Sequence, residues 1–375
     1  MRAKKKPGGT ALVELVRGFQ PSCVVIAGAE LDVFTILHAR PMNVAQLASR
    51  IKGDLRATTI LLDALAAIRL LDKGSGREPV YRVPPTVAEV LTETGSQSML
   101  GMVRHHGNCL RKWAQLADVV LHGKPAIRRP SVRGAAGDLI SFIRAMHEIS
   151  EPLAMPLISS LGPLKFTHLL DLGGASGTWT IPFLRLNPEA CATIFDQPEV
   201  IPMARRMMKK VGLASRVRLV PGSYHSDPMP AGADLAWVSA IVHQNSRAQN
   251  RALFAKVFSA LVPGGRILIR DLVMDPSRTR PAGGALFAVN MLVATAGGGT
   301  FTFDELHEDL SDAGFVKVKC LCRGEWMDSV VCATKPRPRR LLQTARREGD
   351  GGRRTMQPRW NSRNASNPRA HGARP

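Results

Sequence analysis

The sequence predicts an α/β protein: a Rossmann-like domain with a mostly parallel sheet, preceded by a mostly helical, winged-helix-like domain. Three observations carry this. From about residue 167, short apolar runs alternate with helical patterns, which implies βαβ units and a sheet covered on both faces. The first of these runs, Thr167-His168-Leu169-Leu170-Asp171-Leu172, ends in Gly173-Gly174, as a buried parallel strand entering a tight turn would. The first 95 residues read in the order helix, turn, helix, β-wing.

Taken in order, residues 10–40 carry apolar positions at helical spacing, and Asn43 is a good N-cap for the helix that starts at Val44. Gly53-Asp54 breaks that helix, and a longer one is expected over 56–71. Gly74-Ser75-Gly76 gives a turn, and Val80-Tyr81-Arg82-Val83 a short strand. Residues 96–160 read as a helical, substrate-lining region with a Pro/Gly/Arg-rich loop near 123–134. Strands are then expected at 167–172, 192–196, 217–220, 235–239, 266–273, 315–322 and 329–333, with helices over 200–211 and 248–261 between them. Only the short stretch 323–328, which opens with Arg323-Gly324-Glu325-Trp326, separates the last two strands, so they should form an antiparallel hairpin at the sheet edge. The organisation expected is a basic disordered start (1–9), a winged-helix-like domain (10–95), the helical region (96–160), the α/β domain (161–335) and a disordered Arg-rich tail (336–375).

The chain has 375 residues and a net charge of +21. That charge is concentrated at the ends. Residues 336–375 hold eleven Arg against one Glu and one Asp, and the first six residues add +4. The body is left only mildly basic, which argues against nucleic acid as a partner. The tail has too little apolar surface to offset its ordering entropy. Six cysteines lie scattered without a C-x-x-C pair or a zinc-type spacing, so no metal site is expected and a reducing compartment is inferred. Cys320 and Cys322 are expected on one face of a strand as small core residues. No uninterrupted run of 18 apolar residues occurs, and the basic start lacks the apolar core of a signal peptide. No membrane span is expected, and the cytoplasm is the expected location.

The strongest chemical feature is Asp171-Leu172-Gly173-Gly174-Ala175-Ser176-Gly177-Thr178-Trp179, placed between a strand and a helix. Glycines there let the backbone turn tightly and approach a ligand, and the following helix opens with unpaired N–H groups. A ligand-free tight turn would use the same residues. The second feature is Asp196, 19 residues after Gly177 and at the end of the next strand. An acidic residue at this distance can accept hydrogen bonds from ribose hydroxyls, although Asp196 would also serve as a cap before Pro198. Together the two features fit a nucleoside cofactor. The loop lacks G-x-G-x-x-G, the dinucleotide fingerprint. Asp171 stands two residues before the first glycine instead, and could hold an ammonium-bearing ligand through the loop. S-adenosylmethionine carries such a group and a pyrophosphate does not.

Residues 167–333 resemble the methyltransferase domain of the small-molecule O-methyltransferases, the family that includes caffeic acid and acetylserotonin methyltransferases and many bacterial secondary-metabolite enzymes. The stretches that carry the resemblance are Asp171–Gly177, Phe195-Asp196-Gln197-Pro198, Val242-His243-Gln244, Pro263-Gly264-Gly265 and Ala313-Gly314-Phe315. The resemblance implies a class I methyltransferase that uses S-adenosylmethionine and acts on a hydroxyl of a small organic substrate. It implies that residues 10–95 mediate a homodimer and lend residues to the partner's pocket. Gly173, Gly174 and Gly177 then form the cofactor loop, with Asp171 behind it. Asp196 holds the ribose and Gln197 adjoins it. Ser223 and Tyr224 lie at the adenine position, where the family usually has Asp at 223, and Ser239 stands where plant members have a cofactor-contacting Lys.

His243 matches the family's general base. The chemistry agrees, since a hydroxyl attacks a methyl group poorly until its proton is removed, and His titrates near neutrality. A capping histidine is the plainer reading of the same residue. Asp271 matches the acidic residue that orients the base. A second acidic position falls on Thr300 in the Ala296-Gly297-Gly298-Gly299-Thr300 loop, and Gln244-Asn245 replaces the Asp-Trp of plant members. Gln244, Met291 and Thr295 are expected to face the substrate. His105-His106 cannot share a helix face as metal ligands and are taken as structural or substrate-lining. Two other readings compete. A winged-helix DNA-binding regulator would need base-reading side chains, but the 56–71 helix is dominated by Leu, Ile and Ala. An N- or C-methyltransferase, or an inactive homologue, would keep the same fold, and Ser223, Ser239 and Thr300 are the departures that favour it.

Overall fold

The computed structural model describes residues 8–338. The basic start and nearly all of the tail expected to be disordered lie outside the described residues. Helices α1 (Gly9–Arg17), α2 (Phe19–Glu30), α3 (Val33–Ala39), α4 (Val44–Ile51), α5 (Leu55–Ala67) and α6 (Pro85–Leu91) surround a small sheet. That sheet is antiparallel, in the order β1-β3-β2, with β1 (Met42–Asn43), β2 (Asp72–Lys73) and β3 (Val80–Arg82). Phe34, Leu37, Leu47, Leu62, Leu65 and Tyr81 fill its core. Asn43 caps α4 as expected, in a reciprocal box with Gln46, an arrangement that contributes about 1 kcal/mol. Asp54, expected to break a helix, caps the next one by accepting from the Ala57 N–H at 2.8 Å. That helix stops at Ala67 and does not reach residue 71, because Arg69 takes a left-handed conformation with φ 64°. Helix α1 buries none of its residues, and Leu12, Leu15, Val16 and Phe19 are more than half exposed. By length and composition alone, though not as an uninterrupted apolar run, the Gly9–Glu30 stretch reaches the range of a membrane span.

Helices α7 (Leu100–Trp113), α8 (Leu116–His122) and α9 (Gly134–Ser160) lie between the two sheets in sequence. Arg104 of α7 is 3% exposed and is fully partnered. Its Nε donates to the Ala29 carbonyl, and its other nitrogens pair with Asp32 and Glu93. A buried cation satisfied this way is the ordinary case.

The large sheet is built from β4 (His168–Leu172), β5 (Cys191–Asp196), β6 (Val217–Pro221), β7 (Ala233–Ser239), β8 (Leu261–Asp271), β11 (Val316–Cys322) and β12 (Ser329–Thr334). The short β9 (Val273–Met274) and β10 (Phe301–Thr302) pair separately. Its order is β11-β12-β8-β7-β4-β5-β6. Strands β4 to β8 pair in parallel, and the expected antiparallel hairpin β11–β12 closes one edge. Strand β8 starts at Leu261 and takes in Pro263-Gly264-Gly265, five residues earlier than expected. The Cys320 and Cys322 expectation is overturned. Cys320 is exposed on the edge strand, and the register slips between the two.

Helices α10 (Thr180–Leu186), α11 (Ile201–Lys210), α12 (Arg247–Ala260), α13 (Ala282–Ala294) and α14 (Phe303–Asp312) complete the α/β part. Two hydrophobic clusters line the sheet, one built on Trp179, Phe183 and Trp237, the other on Val238, Phe254 and Ile269. The chain leaves β4 toward β5 and β6, then returns to place β7 on the other side of β4. That reversal opens a crevice at the carboxyl ends of β4 and β7, the general ligand position in open α/β sheets.

Candidate active site

Every residue of the glycine loop follows from the carboxyl end of β4. Gly173 and Gly177 have φ 63° and 81°, the left-handed region that glycine enters without strain. A Cβ on Gly174 would stand 2.9 Å from the Asp171 carboxylate carbon. Asp171 is therefore packed beneath the loop, 1% exposed, and accepts a hydrogen bond from the Thr180 hydroxyl. Its charge reaches the crevice only through the loop. Burial pushes its carboxyl up to about 7, against the Thr180 hydrogen bond and with help from the negative charge of Asp196.

Asp196 ends β5 beside the same loop. One carboxylate oxygen accepts from the Ala175 N–H at 2.8 Å and the other from the Gln197 N–H at 2.7 Å. No cation pairs with it among the described residues, and burial raises its carboxyl. Each oxygen keeps a lone pair, so the group suits two neighbouring hydroxyls. Gln197 is exposed and touches Asp196 through its backbone. The Ser223 N–H donates to the carboxylate of Asp227 at 2.8 Å, which brings an acidic group beside a position where 223 itself lacks one. Tyr224 is pushed up to about 12 by burial and by Asp196. These groups fit an adenosine cofactor: a left-handed glycine turn, an unpaired carboxylate at ribose distance in sequence, and a buried carboxyl under the loop.

His243 lies in the short helical turn Val242–Gln244 that follows β7. Its Nδ1 sits 2.8 Å and 3.1 Å from the two carboxylate oxygens of Asp271, which ends β8. The His243 backbone N–H also faces Asp271, at 3.2 Å. Both side chains are buried. Nδ1 therefore carries the proton, and Nε2 makes no hydrogen bond among the described residues. Phe287 of α13 meets the ring edge-on, with centroids 4.9 Å apart.

The Ala296–Thr300 loop supports His243 by backbone rather than by a second carboxylate. The Gly299 N–H donates to the His243 carbonyl at 2.9 Å. A Cβ on Gly298 would lie 2.5 Å from that carbonyl oxygen, so the glycine run is required for the close approach. Of the expected substrate residues, Met291 is buried on α13. Gln244 is exposed, with its amide donating to the Ala240 carbonyl. The Thr295 hydroxyl is held between the Met291 carbonyl and the Gly298 N–H. Those last two polar groups are committed to the backbone. Among the described residues no three His, Cys, Asp or Glu side chains gather as a metal set.

Three features escape a reading by spacing. His147 of α9 reaches Thr178 of the loop at 2.8 Å, and Thr178 in turn bonds Ser176. His105 of α7 stacks at a tilt on Phe142, and burial lowers it to about 4. Arg270 is buried at the end of β8 and bonds Ser239 at 3.2 Å. His105 stood out in the sequence only as half of the His105-His106 pair, and Arg270 as a cation directly after the apolar run Ile267-Leu268-Ile269 and beside Asp271.

Comparison with known proteins agrees with this geometry. The O-methyltransferase domain family matches residues 113–316, and the O-methyltransferase dimerisation domain family matches 13–94. The chain is 31% identical over 333 residues to the tetracenomycin polyketide synthesis 8-O-methyl transferase of Streptomyces glaucescens, covering 87% of this chain and 96% of that one. It is 28% identical over 318 residues to the human acetylserotonin O-methyltransferase, covering 81% and 91%. The crystal structure of human N-acetylserotonin methyltransferase in complex with S-adenosylmethionine superposes with a TM-score of 0.71 at 26% identity, over 90% of this chain and all of that one. The fold, the loop geometry and these matches agree: the chain belongs to the S-adenosylmethionine-dependent O-methyltransferases.

Proposed function

We propose that this enzyme methylates a phenolic hydroxyl on a small aromatic acceptor, with His243 as general base and Asp271 as the group that orients it. The observation that carries the reading is the buried His243–Asp271 pair, with Nε2 left free at the carboxyl edge of the sheet beside an aromatic wall. Bound S-adenosylmethionine supplies an electrophilic methyl group. Asp196 holds the ribose hydroxyls, and Gly173, Gly174 and Gly177 let the backbone close on the cofactor. His243 takes the acceptor proton at Nε2 as the oxygen attacks, and Asp271 stabilises the resulting imidazolium. Phe287 and Met291 give the acceptor a flat apolar surface, and much of the rate comes from holding the oxygen in line. The names of two relatives, a polyketide 8-O-methyl transferase and a 3-hydroxy-5-methyl-1-naphthoate 3-O-methyltransferase, support a fused aromatic acceptor.

The unit in solution is proposed to be a homodimer. The dimerisation family match and the unburied apolar side of α1 support this, since a nine-residue helix is marginal without packing.

The test is calorimetric titration with S-adenosylmethionine and with NAD, on the wild type and on Asp196→Ala, followed by transfer of labelled methyl to a panel of naphthols and hydroxyanthraquinones. Micromolar binding of S-adenosylmethionine alone, weakened at least tenfold by Asp196→Ala, and methyl transfer lost in His243→Ala are expected. Transfer that survives in His243→Ala would refute the base assignment.

A further inference from the structure

Adjacent residues of a strand point to opposite faces of the sheet. At the end of β8 this separates two charges. Asp271 faces His243, while Arg270 turns the other way. Its guanidinium carbon lies 4.3 Å over the ring of Trp179, the residue two beyond Gly177. Its Nη1 donates to the Ser239 hydroxyl at the end of β7, and this is the only hydrogen bond the guanidinium makes among the described residues.

Arg270 is 4% exposed, yet no carboxylate lies within ion-pair distance of it among the described residues. Arg104, buried to the same degree, has two. The Nε of Arg270 is buried with no partner, and Nη2 is also unbonded. Nε and Nη2 form one edge of the guanidinium, the fork that fits a carboxylate with two parallel hydrogen bonds. A second unpaired buried donor, Nε1 of Trp237, belongs to a ring 5.4 Å from that of Trp179. The neighbourhood of Trp179 thus holds surplus donors and a positive charge with no carboxylate in contact with it among the described residues. A water molecule could accept from these donors but could not compensate the charge. Burial lowers Arg270 only to about 10, against the more distant negative charges of Asp271 and Asp328, so it stays cationic at neutral pH.

We infer that Arg270 is a carboxylate receptor of the active site, binding an anionic end of the cofactor or of the acceptor through its Nε–Nη2 edge. The position favours this, because the glycine loop leads into Trp179 on one side and the His243–Asp271 pair adjoins on the other. The carboxylate is either that of the cofactor's amino-acid end or one carried by the aromatic acceptor. The inference rests on the reading of the glycine loop as the cofactor site.

The test uses the full chain as wild type, Arg270→Met and Arg270→Lys. Titration compares S-adenosylhomocysteine with its decarboxylated analogue. The complex with S-adenosylhomocysteine is then titrated with 2-naphthoate and, separately, with 2-naphthol. If the cofactor supplies the carboxylate, the wild type binds the decarboxylated analogue about 10- to 100-fold more weakly, the range for a lost charged hydrogen bond, and Arg270→Met erases the difference. If the acceptor supplies it, both nucleosides bind alike, and 2-naphthoate binding falls at least tenfold in Arg270→Met while 2-naphthol is unchanged. Arg270→Lys, with the charge but not the fork, falls between in either case. The wild-type arms need no variant, so an unfolded variant leaves the test standing. Absence of any carboxylate discrimination in the wild type, or discrimination that persists in Arg270→Met, overturns the inference. Failure of the wild type to bind either nucleoside would overturn the loop reading, and this inference with it.

Discussion

Replacing Asp271 by Asn isolates the charge that the proposed mechanism needs. The carboxylate receives three donors besides solvent: His243 Nδ1, the His243 N–H and the Leu272 N–H, at 2.8, 3.2 and 2.8 Å. Asn keeps the volume but offers one acceptor atom and one donor group, so its amide N–H must face one of these donors. That mismatch should cost about 1–3 kcal/mol of stability. The catalytic cost is larger. With the charge centres of a protonated His243 and Asp271 about 4 Å apart, the attraction at an effective dielectric near 20 is about 4 kcal/mol. Its loss as the imidazolium forms predicts a fall in kcat of about 10³-fold. Cofactor affinity should stay within about threefold, because Asp271 does not contact the glycine loop. The assay is single-turnover transfer of labelled methyl to the best naphthol acceptor, with S-adenosylhomocysteine binding and thermal melting in parallel. A folded Asp271→Asn variant that keeps kcat within tenfold of wild type would refute the pairing as a catalytic device.

Three further outcomes are expected. Gly177→Ala puts a side chain at φ 81°, with its Cβ 2.5 Å from Met208 Cε and 3.0 Å from Ile194 Cδ1; chemical denaturation should show a loss of about 1–3 kcal/mol, and titration a cofactor affinity at least tenfold weaker. Asp171→Asn should flatten the pH dependence of stability, with the melting temperature followed from pH 4 to 8: the folded carboxyl sits near 7 against an unfolded value near 3.9, so the native state binds the extra proton and wild-type stability falls as pH rises through that window. Val16→Asp on the exposed side of α1 should turn a dimer into a monomer by light scattering while far-ultraviolet dichroism stays unchanged, and a dimer that persists would remove α1 from the interface.

Much of this protein was legible because its signals are local. A strand followed by glycines, Asn43 with Gln46 three residues on, and Asp196 at the end of the next strand each rest on neighbours in the chain. The positions of His243 and Asp271 were legible only through family resemblance. They come from different elements, the turn after β7 and the end of β8, 28 residues apart, and no periodicity links them. The errors have physical causes of the same kind. The left-handed Arg69 ends α5 early because backbone conformation there is set by the turn into β2 and not by helix propensity. The apolar repeat of α1 reads as core, but nothing among the described residues covers it.

Strand β8 carries the argument furthest. Composition alone would read Ile267-Leu268-Ile269-Arg270-Asp271 as an apolar strand fraying into two surface charges. The structure keeps both charges buried at the carboxyl edge of the sheet and separates them by the pleat, the acid toward His243 and the base toward Trp179. Burying one charge is costly, and burying two of opposite sign on opposite faces prevents the direct pairing that would offset the cost. Asp271 recovers its share through His243 and two backbone N–H groups. Arg270 recovers only part, from Ser239 and the face of Trp179. The imbalance puts the unspent electrostatic energy on the Arg270 side, which is why a carboxylate ligand, rather than another side chain, is expected to complete it.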